Sequence, residues 1–307
     1  MNRCTLTSIT HALPAWLLVG LLAMVSAAAF VAACGGPSGG SSPTPTATVT
    51  VTSTPSASHS PTTAPTATPS PTTTLSLYFL RGEELGVAER RLPHTTRPAT
   101  AAIEALLAGP TAAERAAGLT SAVPSGTRLL GLSIDGTKAR VDLSAQFASG
   151  GGSLSMQARV AQIVYTLTQF KTAETVTFML EGSVVEALGG EGLMLGEGQR
   201  RSDWRSFEPA IFVERPGVGA VLSSPFILEG TASVFEGSFM ARLVDAGGEI
   251  ASATVQASRG APGRGRYRQT ITFGTTAARG VLIVYSQSME DGSRQNEVRI
   301  PVGFSSD

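Results

Sequence analysis

Four arginines stand close together in a glycine- and proline-containing segment near the C-terminal end of the chain: Arg259, Arg264, Arg266 and Arg268. A guanidinium group binds a carboxylate or phosphate through two parallel hydrogen bonds, so this group suits an acidic polymer or a lipid head group. On a strand, Tyr267 would face one way while Arg266 and Arg268 face the other. We therefore predict an anion-binding surface formed by Arg264, Arg266 and Arg268. The alternative is a solvated hairpin, because arginine is the usual basic residue throughout this chain.

Residues that could carry catalysis or hold a metal ion are few. His94 is the only histidine after residue 74, so a serine–histidine–aspartate triad would need it, and a centre with several histidines is excluded. Glu83 and Glu84 are adjacent, which on a strand places their carboxylates on opposite faces. No G-x-S-x-G, H-E-x-x-H, P-loop, C-x-x-C or dinucleotide-binding motif is present. We predict no catalytic residue, no metal and no cofactor. Two carboxylates brought together by the fold, as in a glycosidase, are the alternative.

The N-terminal 33 residues have the features of a secretion signal. Arg3 precedes an apolar run over residues 16–31, and two alanines separate that run from Cys34. Signal peptidases accept small residues before the cleavage point. The segment 31–34 resembles the lipobox of bacterial lipoproteins, in which the cysteine is acylated and becomes the new N-terminus. The resemblance implies a lipid on Cys34 that holds the protein at the outer face of the cytoplasmic membrane. A transmembrane anchor is the alternative, because the apolar run is just long enough to span a bilayer.

Residues 34–74 have the composition of an extended stalk. Arg3 is the only charged residue before Leu75, and the segment consists almost entirely of Ser, Thr, Pro, Ala and Gly. Such a segment cannot bury a core, and its prolines favour the polyproline II conformation. We predict a disordered stalk over 34–74, with the folded part of the chain after it.

Periodicity over residues 75–190 predicts an α+β domain. The predicted strands are 75–80, 87–92, 129–134, 138–143 and 176–180, and the predicted helices are 99–108, 111–117 and 154–171. Asp135-Gly136 is a strong signal for a two-residue hairpin, and Thr111 begins a capping box with Glu114. Thr166, Thr168 and Gln169 lie on the polar side of the last helix, where we expect them to be solvated. The predicted architecture is a mixed sheet with helices on one face.

Four segments of this domain resemble the GerMN domain and follow one another in the order of that family: Ala105–Thr111, Gly118–Thr127, Ala139–Ser144 and Gln162–Phe170. GerMN domains occur in extracytoplasmic proteins of sporulation and spore germination and in bacterial envelope lipoproteins. The resemblance implies an α/β module used in extracytoplasmic assembly or binding. It transfers no catalytic residue to this chain.

A linker rich in glycine, glutamate and arginine is predicted over 191–207, and an all-β domain over 208–307. Eight strand candidates recur there with glycine or proline between them: 211–213, 218–222, 226–234, 239–245, 249–256, 267–273, 281–286 and 297–302. Many short strands at roughly ten-residue spacing are typical of an immunoglobulin-like sandwich. Both cysteines precede residue 75, so this sandwich is expected to lack an inter-sheet disulfide.

Pro216, the segment Ser224–Glu236 and Asp291-Gly292 resemble the immunoglobulin-like domain of bacterial spore-germination proteins. In that family the domain commonly follows a GerMN domain, as it does here. The resemblance implies an extracytoplasmic β-sandwich with a role in binding or assembly.

Together these features predict a lipid-anchored protein of the cell envelope whose non-catalytic modules bind an envelope protein or a cell-wall polymer. The resemblance adds a link to sporulation or germination. An oligomer-forming component of a transenvelope assembly is a second hypothesis, and a cell-wall hydrolase is a third. Nucleic acid is not an expected partner, because 23 basic and 23 acidic residues leave no excess of positive charge to neutralise phosphates.

Overall fold

The computed structural model describes residues 71–189, 192–196 and 198–305, which belong to one compact unit. The predicted signal 1–33, the lipidation site Cys34 and all of the stalk before residue 71 lie outside the described residues. Within the described ranges, no helix has both the length and the apolar character needed to cross a membrane.

The first domain is built from three sheets and three α-helices. Its strands are β1 (Thr72–Arg81), β2 (Glu84–Pro93), β3 (Leu129–Asp135), β4 (Lys138–Leu143), β5 (Thr175–Leu180), β6 (Ser183–Val184), β7 (Ala187–Leu188) and β8 (Leu193–Met194). Its helices are α1 (Pro98–Leu107), α2 (Ala112–Ala116) and α3 (Ser153–Leu167). β1 and β2 form an antiparallel hairpin, whereas β3-β4-β5-β6 is a mixed sheet in which β4 and β5 run parallel. Two-stranded pairing of β7 with β8 completes the domain, and the predicted α+β fold is confirmed.

Helix α2 begins at the predicted capping box. The Glu114 amide donates to Thr111 Oγ1 at 3.3 Å, and the Thr111 amide donates to Glu114 Oε2 at 2.7 Å. Arg90 reaches the same carboxylate at 2.5 Å from β2. Burial acts to raise the pKa of Glu114, but the bonds from Arg90 and Thr111 outweigh it and lower that pKa. The ionised carboxylate therefore ties α2 to the β1–β2 hairpin.

The polar side of α3 is not solvated, so that expectation was wrong. Thr166 is fully buried and its hydroxyl accepts the Tyr78 amide of β1 at 3.2 Å. Gln169 accepts the Ser76 amide at 3.0 Å and donates to the Ser76 carbonyl at 2.7 Å, while Gln162 donates to the Tyr78 carbonyl at 3.1 Å. These side chains satisfy one edge of β1 in place of a neighbouring strand, because buried backbone groups require partners.

The second domain contains two facing sheets. Its strands are β9 (Ile211–Arg215), β10 (Val221–Leu222), β11 (Phe226–Ala232), β12 (Ser238–Asp245), β13 (Gly248–Gln256), β14 (Gly265–Ile271), β15 (Arg279–Gln287) and β16 (Arg294–Phe304). One sheet has the order β10-β16-β15-β12-β13 and the other has the order β14-β11-β9. Phe239 and Tyr267 meet across the core with ring centroids 4.9 Å apart. The predicted all-β sandwich is confirmed, and apolar packing holds the two sheets together.

The segment predicted as a linker packs against the first domain at several of its described residues. Residues Arg201–Phe207 form a 3₁₀ helix in which Trp204 and Phe207 are buried. The Gln199 backbone exchanges hydrogen bonds of 2.8 and 2.9 Å with Val176 of β5. The glycine and charge content of this segment predicts exposure, but its two aromatic side chains supply enough apolar surface to anchor it.

The two domains share a seam of backbone and aromatic contacts. The Val218 amide donates to the Val87 carbonyl, and the Glu89 amide donates to the Val218 carbonyl, both at 2.8 Å. Phe212 of β9 packs against Tyr78 and Tyr165, with centroid distances of 6.1 and 5.9 Å. The first domain thus supplies part of the surface against which β9 packs.

Candidate functional site: a charged cleft at the domain junction

A charged cavity of about 570 Å³ lies where the 3₁₀ helix Arg201–Phe207 meets β9, β11 and β14, and we call it the junction cleft. Its charged lining residues are Arg201, Arg205, Glu208, Glu214, Glu229, Arg264, Arg266 and Arg268. Five arginines against three glutamates leave a formal charge of two positive units in this lining. The cleft therefore suits an anionic ligand better than a cationic one.

Arg201 occupies the inner end of the junction cleft and joins both domains. Its guanidinium donates to Thr168 Oγ1 at 2.8 Å and to the Tyr78 hydroxyl at 3.0 Å, and it forms an ion pair with Glu214. The guanidinium carbon lies 5.1 Å from the Tyr78 ring centroid and 4.8 Å from that of Tyr165. Because its donors already face protein acceptors and aromatic rings, Arg201 serves the structure of the cleft.

Burial controls the acid–base properties of the two tyrosines beside Arg201. It raises the pKa of Tyr78 to about 12, although the adjacent Arg201 acts in the opposite direction. Burial and the neighbouring Glu208 carboxylate also raise the pKa of Tyr165. Both phenols are therefore neutral at physiological pH and act as hydrogen-bonding groups.

Glu208 forms a second buried connection at the cleft. One carboxylate oxygen accepts the Tyr165 hydroxyl at 2.5 Å, and the other accepts Thr231 Oγ1 at 2.9 Å and lies 3.1 Å from Arg264 Nε. Arg264 also donates to the carbonyl of Pro209 at 2.9 Å. The Arg264 guanidinium is thereby held by several protein acceptors.

The three arginines predicted to bind anions all line the junction cleft, but they differ in what they contact. Arg264 is held by Glu208, and Arg268 forms an ion pair with Glu229 of the adjacent strand β11. Arg266 is exposed, with no ion-pair partner among the described residues. Alternation along β14 places Tyr267 inward, as predicted, with its hydroxyl donating to the Phe212 carbonyl at 2.9 Å. Anion binding by Arg264, Arg266 and Arg268 stays a prediction. Arg266 is the strongest candidate of the three, because the other two are already paired with glutamates.

Arg205 is the residue of this site that sequence reasoning missed. It projects from the 3₁₀ helix into the cleft, is exposed, and has no ion pair within the described part of the chain. No local pattern relates Arg205 to Arg266, because helix–sheet packing alone brings them to one cavity. Arg259, the fourth arginine of the predicted group, does not line the cleft.

The described residues show where the few candidate catalytic and metal-ligating side chains lie. They contain no group of three His, Cys, Asp or Glu side chains placed to hold a metal ion. His94 is exposed, with Nδ1 3.4 Å from Thr73 Oγ1. Each glutamate of the junction cleft lies in an ion pair with an arginine. The three carboxylates of the cleft are therefore held by arginines of the protein itself.

The fold and the cleft define a two-module protein in which an α+β domain and an immunoglobulin-like sandwich share a cationic junction. Residues 76–186 match the family model Germane, described as sporulation and spore germination. Residues 210–293 match the model Gmad2, described as the immunoglobulin-like domain of bacterial spore germination. The chain thus carries two modules associated with sporulation and germination, and both predicted family resemblances are confirmed.

Solved structures of a sporulation protein are also similar to this chain. The tandem GerMN domains of GerM from Bacillus subtilis align at 19% identity with a TM-score of 0.40, and 60% of each chain is covered. The first GerMN domain of that protein aligns at 22% identity with a TM-score of 0.39, covering 43% of this chain and 99% of that one. This chain therefore spans about 60% of the tandem-domain structure. A comparison with curated proteins finds no match.

Proposed function

We propose that this chain is a non-catalytic binding protein of the bacterial cell envelope, and that its junction cleft binds an anionic cell-wall polymer. The observation that carries the proposal is the pairing pattern within the cleft. Arg205 and Arg266 are exposed there without an ion-pair partner among the described residues, while the other charged side chains hold one another in place. Two free guanidinium groups on a rigid, positively charged wall are suited to phosphate or carboxylate groups.

The location in the envelope is part of the same proposal. Its support is the apolar run 16–31, the two alanines before Cys34, and the uncharged stalk that follows. A di- or triacylated cysteine would hold the protein firmly at the membrane, because two hydrophobic chains are needed for stable anchoring. The stalk would then place the two modules near wall polymers, and both matched families are associated with sporulation and germination.

The anchor predicts a clear outcome for Cys34→Ala. Palmitate fed to expressing cells should label the wild-type chain and leave the variant unlabelled, because the variant lacks the acylated thiol. The variant should also be released from the membrane or mislocalised, because the proposed lipid is lost with the thiol. An unlabelled wild-type chain, or a Cys34→Ala chain labelled as strongly as the wild type, would contradict the lipid anchor.

The cleft predicts that exchanging Arg205 and Arg266 together for glutamine weakens binding of purified teichoic acid by at least about tenfold at low salt. Two charge-assisted contacts of roughly 1 kcal/mol each would be lost. Wild-type binding should also fall steeply near physiological ionic strength, where the screening length is about 8 Å. Thermal stability should hardly change, because both side chains are exposed.

The matched control exchanges Arg128 and Arg279 for glutamine. Both are exposed, neither lines the cleft, and the change in net charge is identical. This control should bind teichoic acid like the wild type. Equal losses in both double variants would show that overall charge, not the cleft, attracts the polymer, and would refute the proposed site.

A further inference from the structure

A second cavity, of about 280 Å³, lies at one end of the immunoglobulin-like domain and shares no lining residue with the junction cleft. It is bounded by the 3₁₀ turn Phe235–Gly237 on one side and by residues of the β15–β16 hairpin on the other. Phe235 is 58% exposed and Met289 is 77% exposed. We call this cavity the tip groove.

Side-chain amides give the tip groove its polar character. Gln287, Gln295 and Asn296 line it from β15 and β16. Asn296 Nδ2 donates to the Ser286 hydroxyl at 2.8 Å, and that hydroxyl donates to the Gln295 carbonyl at 3.2 Å. The side-chain amides of Gln287 and Gln295 have no hydrogen-bond partner among the described residues, so each offers both a donor and an acceptor to the groove.

The backbone holds two of these lining residues in an unfavourable conformation. Glu236 has φ of 53° and Asn296 has φ of 54°, in the left-handed region that non-glycine residues seldom adopt. Gln256 Nε2 donates to the Glu236 carbonyl at 2.7 Å and supports the turn that presents Phe235. Such conformations concentrate at binding sites, where the fold maintains them at some cost in stability.

We propose that the tip groove binds a neutral polysaccharide. A pyranose ring has an apolar face of C–H groups, which fits against an exposed aromatic ring, and a rim of hydroxyl groups that both donate and accept hydrogen bonds. Phe235 supplies the ring, and the amides of Gln287, Gln295 and Asn296 supply matched polar partners. Glu236 is the only charged residue in the lining, so no strong charge is required of the ligand.

The size of the groove also favours a sugar over a protein. Small-molecule sites start at about 300 Å³, close to the volume found here. A stable protein interface buries at least about 1,000 Å² in total, with an apolar centre. Phe235 and Met289 are the two large apolar side chains that the lining exposes. The proposal does not depend on the junction cleft or on anion binding.

The test is calorimetric titration of the full chain in detergent with the tetramer of N-acetylglucosamine. The wild type should bind it saturably and independently of salt. Phe235→Ala should bind about tenfold more weakly, since an aromatic contact contributes up to about 1.4 kcal/mol, whereas Phe235→Tyr should retain binding. Asn296→Gly should also weaken binding, because the side-chain amide is lost while glycine still tolerates the positive φ.

Ile227→Ala is the matched control, because Ile227 is 41% exposed in the same domain and lies outside the groove. It should bind the tetramer like the wild type, as should the chain with Arg205 and Arg266 exchanged for glutamine. No saturable binding by the wild type, or equal binding by Phe235→Ala, would overturn the proposal. Capture of an envelope protein that depends on Phe235, without tetramer binding, would overturn it too and identify the groove as a protein interface.

Discussion

Exchanging Arg201 for methionine should lower the free energy of unfolding by about 3 kcal/mol, which is within the range for breaking a mostly buried ion pair. Methionine approximates the length of the side chain but removes every donor. Glu214 would lose its cation, and the Tyr78 hydroxyl and Thr168 Oγ1 would each lose a hydrogen bond. Burial acts to lower the pKa of Arg201, but Tyr78 and Glu214 outweigh it and raise that pKa, so the wild-type side chain is charged at any pH at which the protein folds.

Urea denaturation of the full chain measures this effect, with two companion variants. Arg201→Lys should fall between wild type and Arg201→Met, because an ammonium keeps the charge but cannot reproduce the planar array of donors. Arg205→Met removes an arginine from the same 3₁₀ helix, but this one is exposed and unpaired among the described residues, so stability should change by at most about 0.5 kcal/mol. Equal losses for Arg201→Met and Arg205→Met would contradict the assigned role of Arg201 in joining the domains.

Exchanging Gly230 for alanine should destabilise the protein by about 4 kcal/mol, from overpacking together with a lost buried hydrogen bond. Gly230 is buried in β11, where the register against β9 shifts. An added methyl group would overlap the Phe212 carbonyl oxygen and lie 2.7 Å from the Tyr267 hydroxyl. Both groups are already joined by the 2.9 Å hydrogen bond from Tyr267, so neither can move away without breaking it.

Gly274→Ala is the control for this substitution, because a methyl group at Gly274 would meet no atom within 4 Å. Its midpoint of thermal unfolding should stay within a few degrees of the wild type, whereas that of Gly230→Ala should fall by roughly 8–16 °C or the protein should fail to accumulate. Teichoic acid binding by any folded Gly230→Ala protein should also weaken, since β9 and β11 form a wall of the junction cleft. A Gly230→Ala protein as stable as Gly274→Ala would mean that β9 does not approach β11 closely enough at Gly230 to exclude a methyl group.

Much of the fold was predictable because its signals are local. The Asp135-Gly136 turn, the capping box at Thr111 and the alternation along β14 each depend on residues within a few positions of one another. Strand candidates in the second domain agree with the observed strands for the same reason, since alternation records which face of a strand is buried. The order of the two modules was equally accessible, because each resembles a known domain along its own continuous segment.

The solvation of a helix face was not predictable in this way. Thr166 and Gln169 have the polarity of exposed residues, yet they satisfy the backbone of β1. Whether a polar side chain meets water or a strand edge depends on what packs against it. The same reason applies to residues 201–207, whose charge suggests exposure while Trp204 and Phe207 are buried.

The amino-acid sequence alone indicates the two modules, predicts secretion and lipidation signals around Cys34, and identifies Arg264, Arg266 and Arg268 as candidates for anion binding. The tertiary structure decides which of those arginines are free. Arg201 contacts Tyr78 from 123 positions away, and Glu208 contacts Tyr165 from 43 positions away. Arg264 is neutralised by Glu208, 56 positions away, and Arg268 by Glu229, 39 positions away, so local spacing could not predict either ion pair. Arg205 and Arg266 reach one cavity only when the 3₁₀ helix, the strands and the domain seam are packed together. A charged side chain is available for binding only where the fold leaves it without an ion-pair partner.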